Sequence, residues 1–234
     1  FSFDTETTSL SYMEAKLVGI SFSCETGKAA YVPLAHEDEG VPLKQLQLQD
    51  VLGEIRPLLE SKVLIKVGQN FKYDINVLAN YGLKVSMPYV DTMLQSYVLN
   101  SVATRHNMND MAQHYLSRDT IHYEDVAGKG AKQIPFAQVP IDVASEYAAE
   151  DADVTLQLNE VLTKSLYKAE SLGTILEQVE MPLVSVLATI ERNGALVSGT
   201  MLSKQSAELG ERLEELRESV WSMAGEEFNL DSTK

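Results

Sequence analysis

The chain is poor in several things, and each narrows its class. One cysteine, Cys24, in 234 residues excludes an intramolecular disulfide, as expected of a reducing compartment. Basic residues are scarce: 19 Lys and Arg stand against 34 Asp and Glu, for a formal net charge of −15. That balance argues against a tight duplex binder, because phosphate binding is driven largely by Lys and Arg. No stretch reads as apolar for long enough to span a bilayer, so no membrane partner is expected. The chain opens on Phe1, already inside a strand pattern, and stops at Lys234 with no closing tail. It reads as a piece of a longer polypeptide, so a missing leader carries no information. Its length suits one large domain, or one domain plus part of another.

What is present starts with residues 1–7. Phe1 and Phe3 alternate with Ser2 and Asp4, the period of a strand. Such a strand delivers Asp4 and Glu6 to one side of a sheet. Two carboxylates held that close repel unless a cation or a proton lies between them. Strands are also predicted over 17–23 and 29–34, joined by a turn at 25–28, which makes an antiparallel meander. Apolar spacing predicts a helix over 43–59 and a short buried strand over 63–67. A helix over 70–80, a strand over 87–90 and a helix capped by Asp91 follow. Strand, helix, strand, helix is the pattern of parallel crossovers, so the sheet should be mixed. The strongest helical pattern is Ile141–Leu166.

Composition changes near Gly173, beyond which the chain reads as almost wholly helical, with Pro182 kinking or restarting a helix. A boundary is expected between about 168 and 180, giving one domain over 1–170 and a helical segment over 171–234. That second segment is too small to bury a core of its own.

Four acids stand out. Asp4 and Glu6 end the first strand, Asp74 shares a helix face with Asn70, and Asp151 shares one with Tyr147. Each has a plainer reading: a turn, an N-cap, a solvated face, a half-buried tyrosine. Together they suit two-metal phosphodiester hydrolysis. Hard oxygen ligands favour Mg²⁺ or Mn²⁺. Two ions about 3.5–4 Å apart stabilise both the attacking and the leaving oxygen. A phenol such as Tyr147 can orient the attacking water. The basic residues cluster near candidate segments: Lys62, Lys66 and Lys72 in one place, Arg105, Arg118, Lys129 and Lys132 in another.

The order Asp4-x-Glu6, Asn70-x-x-x-Asp74, Tyr147-x-x-x-Asp151 resembles the three exonuclease motifs of the DEDD superfamily, in its tyrosine branch. Neighbouring strings sharpen the resemblance to the bacterial DNA polymerases I of family A. They include Phe3-Asp4-Thr5-Glu6-Thr7, Lys66-Val67-Gly68-Gln69-Asn70, Tyr147-Ala148-Ala149-Glu150-Asp151-Ala152-Asp153 and, in the tail, Ile190-Glu191-Arg192-Asn193-Gly194.

The resemblance implies a proofreading 3′→5′ exonuclease domain followed by the first helices of a polymerase domain. Its fold would be ribonuclease H-like α/β, a mixed five-stranded sheet flanked by helices, with an α-helical C-terminal segment. Asp4, Glu6 and Asp151 would hold one metal, and Asp4 with Asp74 the other. The ions would be Mg²⁺ or Mn²⁺, with Zn²⁺ an alternative at one site. Tyr147 would position the water. Leu10 and Tyr123 would contact terminal bases, and Thr7, Gln69, Asn70, Lys72, Tyr73 and Arg105 would complete the DNA contacts. The polymerase's own carboxylates lie further on in such proteins. A cytoplasmic, nucleoid-associated bacterial monomer acting on single-stranded or frayed DNA 3′ ends is the implied setting. The competing expectations are an RNA-trimming enzyme resembling ribonuclease D and a non-catalytic DNA-binding or structural domain.

Overall fold

The computed structural model describes residues 1–38, 40–168 and 170–232. Strand β1 (Ser2–Thr7) pairs antiparallel with β2 (Leu17–Glu25), which pairs antiparallel with β3 (Lys28–Pro33). Gly27 turns the second hairpin at φ +81°, a conformation that L side chains disfavour. A small ribbon, β4 (Glu37–Asp38) with β5 (Val41–Pro42), precedes helix α1 (Leu48–Leu59). Then come β6 (Lys66–Gly68), α2 (Phe71–Ala79), β7 (Tyr89–Asp91) and α3 (Thr92–Leu99). The main sheet has the order β3-β2-β1-β6-β7, with β1, β6 and β7 parallel. The sheet is mixed, as the strand and helix pattern predicts, and it is the five-stranded, ribonuclease H-like sheet that the resemblance implies.

The chain continues through α4 (Met108–Met111), a π-helical turn at Ala112–Leu116, α5 (Tyr123–Ala127) and a 3₁₀ turn at Phe136–Gln138. Helix α6 (Ile141–Leu166) lies across the sheet. Its buried Ala144, Ala148 and Ala152 let it approach closely, and the Ser2 hydroxyl donates to the Ala152 carbonyl at 2.6 Å. Phe3, Leu17 and Ile20 join α1 and α2 in one core, where Phe3 meets Phe71 at 5.1 Å. Val18 packs instead with Phe136, Val139 and Ala144. Burying a side chain the size of Phe3 contributes about 1.5–3 kcal/mol.

Two local expectations are corrected. The strand predicted over 63–67 begins only at Lys66, and Val63 and Ile65 are 84% and 53% exposed. The Ser61 hydroxyl accepts from the Val63 and Leu64 amides, which holds this apolar run in a bend off the sheet. The helix predicted from 43 begins at Leu48, because Gln45 is spent on the backbone of His36, accepting from its N–H and donating to its carbonyl, both at 2.9 Å.

The first compact unit runs Phe1–Arg192, so the compositional change near Gly173 falls inside it. Helix α7 (Glu170–Ile175), a π turn at Leu176–Glu180 and α8 (Met181–Asn193) follow α6. Leu176, Met181 and Val184 complete the Phe3 core, and the Tyr89 hydroxyl donates to the Met181 carbonyl at 3.2 Å. Pro182 closely follows the π turn at Leu176–Glu180, so the regular α-helix is interrupted next to the proline without the run ending there. By length and composition the helical run Ser171–Asn193, at hydropathy 1.2, is apolar enough to cross a membrane. That corrects the expectation that no stretch qualifies, although its buried Leu176, Met181 and Val184 belong to the core just described.

The second unit, Asn193–Lys234, holds α9 (Gly199–Ala224). The Ser198 hydroxyl accepts from the Met201 amide at the start of α9, and Gly225, at φ 78°, ends it. None of its described helical residues is buried.

Candidate active site

The carboxyl end of β1 meets the N-terminal end of α2 and the first half of α6. Alternation along β1 sends Phe3 and Thr5 toward α2, and Ser2, Asp4 and Glu6 toward α6. Carboxylate oxygens of Asp4, Glu6 and Asp151 all lie within 4.8 Å of one another. Asp74 arrives from the other layer and is held by Thr5, whose amide and hydroxyl both donate to its Oδ1, at 3.2 and 2.5 Å. Glu6, Asp74 and Asp151 are buried and Asp4 is half-buried. Among the described residues, no Lys, Arg or His forms an ion pair with any of the four.

The electrostatic consequence is direct. Burial pushes the Asp4 carboxyl up to about 7. Glu6 is raised by burial and then by the charges of Asp4, Asp151 and Asp74. Burial and Asp4 raise Asp74, against the two Thr5 donors, and burial and Asp4 raise Asp151. Four crowded acids without a basic partner fit a divalent-cation site: the donor set is all hard oxygen, and a cation would relieve the repulsion. Tyr147 stands one helical turn before Asp151. Burial, then Asp151, Glu6 and Asp4, raise its hydroxyl, so it stays protonated near neutrality and keeps a hydrogen to donate.

These groups line a cleft of about 890 Å³ that also includes Thr7, Leu10, Gln69, Asn70, Tyr73 and Tyr123. Leu10 is 94% exposed at its lip. The Tyr73 hydroxyl donates to the Ser9 carbonyl and meets the Thr7 hydroxyl, each at 2.5 Å, tying the Leu10 loop to α2. Asn70 takes a left-handed φ of 55° just before α2. Asp91 explains it, accepting from the Asn70 and Phe71 amides at 3.1 and 2.9 Å while also capping α3 at Met93. The Gln69 amide donates to the His106 carbonyl at 2.9 Å and accepts from the Thr92 hydroxyl at 2.5 Å.

Two expected DNA contacts lie outside this lining. Lys72 is paired with Glu191 of α8, and Arg105 is exposed, 3.8 Å from Asp110. Other basic residues are also engaged elsewhere. Lys66 is buried, its ammonium donating to the Ser61 and Leu64 carbonyls at 2.6 and 2.9 Å. Arg118 grips Glu150 and Asp153 at 2.7 and 3.2 Å, and Lys129 grips Glu124 at 2.8 Å. The sequence reading passed over Met108, Gln133, Ile134, Pro135 and Phe136, which line the same cleft. The available signal was Pro135-Phe136, an aromatic in a turn within an otherwise polar loop.

Residues 1–167 match the 3′-5′ exonuclease family of the DNA polymerase A type. The chain is 54% identical to DNA polymerase I of Pseudomonas aeruginosa over 235 residues, all of this chain but 26% of that protein. It is 41% identical to DNA polymerase I of Rhizobium leguminosarum, again over the whole chain and 24% of the relative. The chain therefore spans about a quarter of the length of these curated relatives. Among solved structures, the POL domain of Pol1 from M. smegmatis with DNA primer-template and dNTP covers 98% of this chain and 35% of its own, with a TM-score of 0.75 at 20% identity. Brucella melitensis NrnC bound to pGG covers 85% of this chain and 89% of its own, with a TM-score of 0.60 at 18% identity. At those identities the likeness speaks to fold alone.

Proposed function

Because the chain belongs to the 3′-5′ exonuclease family of the family A DNA polymerases, we propose that it is the proofreading part of a DNA polymerase I. It removes nucleoside monophosphates from single-stranded or frayed DNA 3′ ends by metal-dependent hydrolysis. The observation that carries this reading is the trio Asp4, Glu6 and Asp151, half-buried to buried and within 4.8 Å, with Asp74 fixed by Thr5 beside it.

Asp4, Glu6 and Asp151 would hold one divalent ion, and Asp4 with Asp74 a second, Mg²⁺ or Mn²⁺ in each case. Bound there, the ions supply Lewis-acid stabilisation of phosphoryl charge and an activated water. The chain's own residues do the rest. Tyr147 keeps its proton and orients the attacking water by hydrogen bonding. Attack forms a new P–O bond as the bond from phosphorus to the preceding 3′-oxygen breaks, releasing a nucleoside 5′-monophosphate. Leu10 and Tyr123 offer apolar and aromatic surface to the last bases, at about 1–3 kcal/mol per stacked base. Thr7, Gln69, Asn70 and Tyr73 present polar groups along the strand's path. A mismatched end unpairs more readily, so it reaches the cleft more often without any reading of base identity.

The helices from residue 171 onward are then the start of the polymerase domain, and the intact protein a cytoplasmic, nucleoid-associated monomer. The test is release of mononucleotides from 3′-labelled single-stranded DNA and from RNA, with Mg²⁺ or EDTA. DNA cleavage that EDTA abolishes is expected. Preference for RNA would favour the ribonuclease D-like reading, and no cleavage of either would favour a structural domain.

A further inference from the structure

Behind Tyr147 lies a buried group that the chemistry above does not use. Phe136 is 2% exposed and touches both cleft tyrosines, the three rings forming a triangle: it lies 6.0 Å from the Tyr147 ring, and 6.1 Å from Tyr123 at an interplanar angle of 21°. Tyr123 and Tyr147 themselves meet edge to face at 6.2 Å. On its far side Phe136 rests on His36, 5.8 Å away and 1% exposed. His36 has little freedom. Its Nδ1 lies 3.0 Å from the Val139 carbonyl and its Nε2 lies 2.8 Å from the Tyr31 hydroxyl. A carbonyl only accepts, so Nδ1 carries the proton and Nε2 accepts from Tyr31. Gly19 makes the room for this, since a Cβ there would fall 2.0 Å from the Tyr31 hydroxyl. Val139 directly follows the 3₁₀ turn that carries Phe136, so His36 holds that turn through both its carbonyl end and its ring.

We infer that Phe136, seated on the His36–Tyr31 pair, is a positioning residue that fixes the orientation of Tyr147 and the plane of Tyr123. This rests on the exonuclease reading of the cleft. An aromatic side chain has only two torsions, so a rigid ring against each tyrosine leaves little freedom to either. Small misplacements are costly, since a displacement of about 1 Å at a reacting group can slow an enzyme by about 10²-fold. Phe136 contributes no polar atom, and it acts only through the rings it touches.

The experiment is a double-mutant cycle on the full chain, reading kcat for mononucleotide release from single-stranded DNA with Mn²⁺. Phe136→Leu should lower kcat roughly tenfold, and should add less than about twofold to kcat in a Tyr147→Phe background, since the loss in kcat runs through the Tyr147 hydroxyl while Tyr123 acts on base binding and so on KM. Losses that multiply, or a parental rate for Phe136→Leu, overturn the inference. A parental rate for Tyr147→Phe alone sinks the water-orienting reading instead, so the two failures are distinguishable. Calorimetric Mn²⁺ affinity should be unchanged in every variant; weakening would show a collapsed site and overturn the inference. Should Phe136→Leu fail to fold, His36→Gln, outside the cleft, runs the same cycle with the same deciding outcomes.

Discussion

Thr5 donates twice to one oxygen of Asp74, through its amide at 3.2 Å and its hydroxyl at 2.5 Å. The residue lying between two of the acids therefore positions a third, so β1 organises the cluster from both faces of the sheet. Thr5→Val keeps the side-chain shape and removes one donor. The expected outcome is weaker binding of the second Mn²⁺ by calorimetry and a slower nuclease, with the first Mn²⁺ retained. Hydrogen bonds to charged groups are worth about 1.5–3 kcal/mol, which sets the scale. Equal weakening of both ions would count against the assignment of Asp74.

The acids themselves should separate folding from activity. Asp74→Ala and Asp151→Ala are expected to fold, because each relieves buried repulsion, yet to lose nuclease activity. A rate within a few-fold of the parent would sink the site assignment. Tyr147→Phe should be impaired less than either, because the phenol orients water without holding metal.

Stability should depend on pH in a direction set by the cluster. Burial raises Asp4 to about 7, and Glu6, Asp74 and Asp151 are raised as well. An acid whose folded pKa exceeds its unfolded value near 3.8 contributes stability that is full below that value and is lost as pH rises toward the folded pKa. In EDTA the melting temperature should therefore fall between about pH 4 and pH 7. Mg²⁺ or Mn²⁺ should raise it more at neutral pH than at acidic pH. A metal effect independent of pH would show that the ion binds elsewhere.

Leu10 stands 94% exposed at the cleft lip, where a solvent-facing apolar side chain makes sense as a surface for a base. Leu10→Ala should weaken binding of a short single-stranded DNA while leaving Mn²⁺ affinity intact. A loss of Mn²⁺ affinity in that variant would argue against its role.

Lys72 is held by Glu191, although the resemblance to the polymerase family implies that it contacts the strand. If it reaches substrate, it must change partners. Glu191→Gln should then tighten single-strand binding and steepen its salt dependence, because a freed ammonium neutralises one more phosphate. Unchanged affinity and slope would remove Lys72 from the contact set.

Much of this was readable from short spacings. The alternation in Phe1 to Thr7 placed Asp4 and Glu6 on one face. Helical periodicity placed Tyr147 with Asp151, and Asp91 was recognisable as a cap, though not as one serving α2 and α3 together. What misled was composition without context. Val63, Leu64 and Ile65 look like a buried strand, but Ser61 captures their amides, and the lysines and arginines counted toward a phosphate-binding surface are largely committed elsewhere.

The sequence by itself determined the mixed sheet, the long α6 and the order of the three acidic motifs. These depend on periodicities a few residues long, which the local backbone imposes. Tertiary structure alone decided that Thr5 clamps Asp74, that Lys72 meets Glu191 and that Phe136 packs against both Tyr123 and Tyr147. Those pairings join residues from 11 to 119 positions apart, on different elements. Nothing in local spacing specifies which distant partner a side chain will meet, and packing around the common cores settles it.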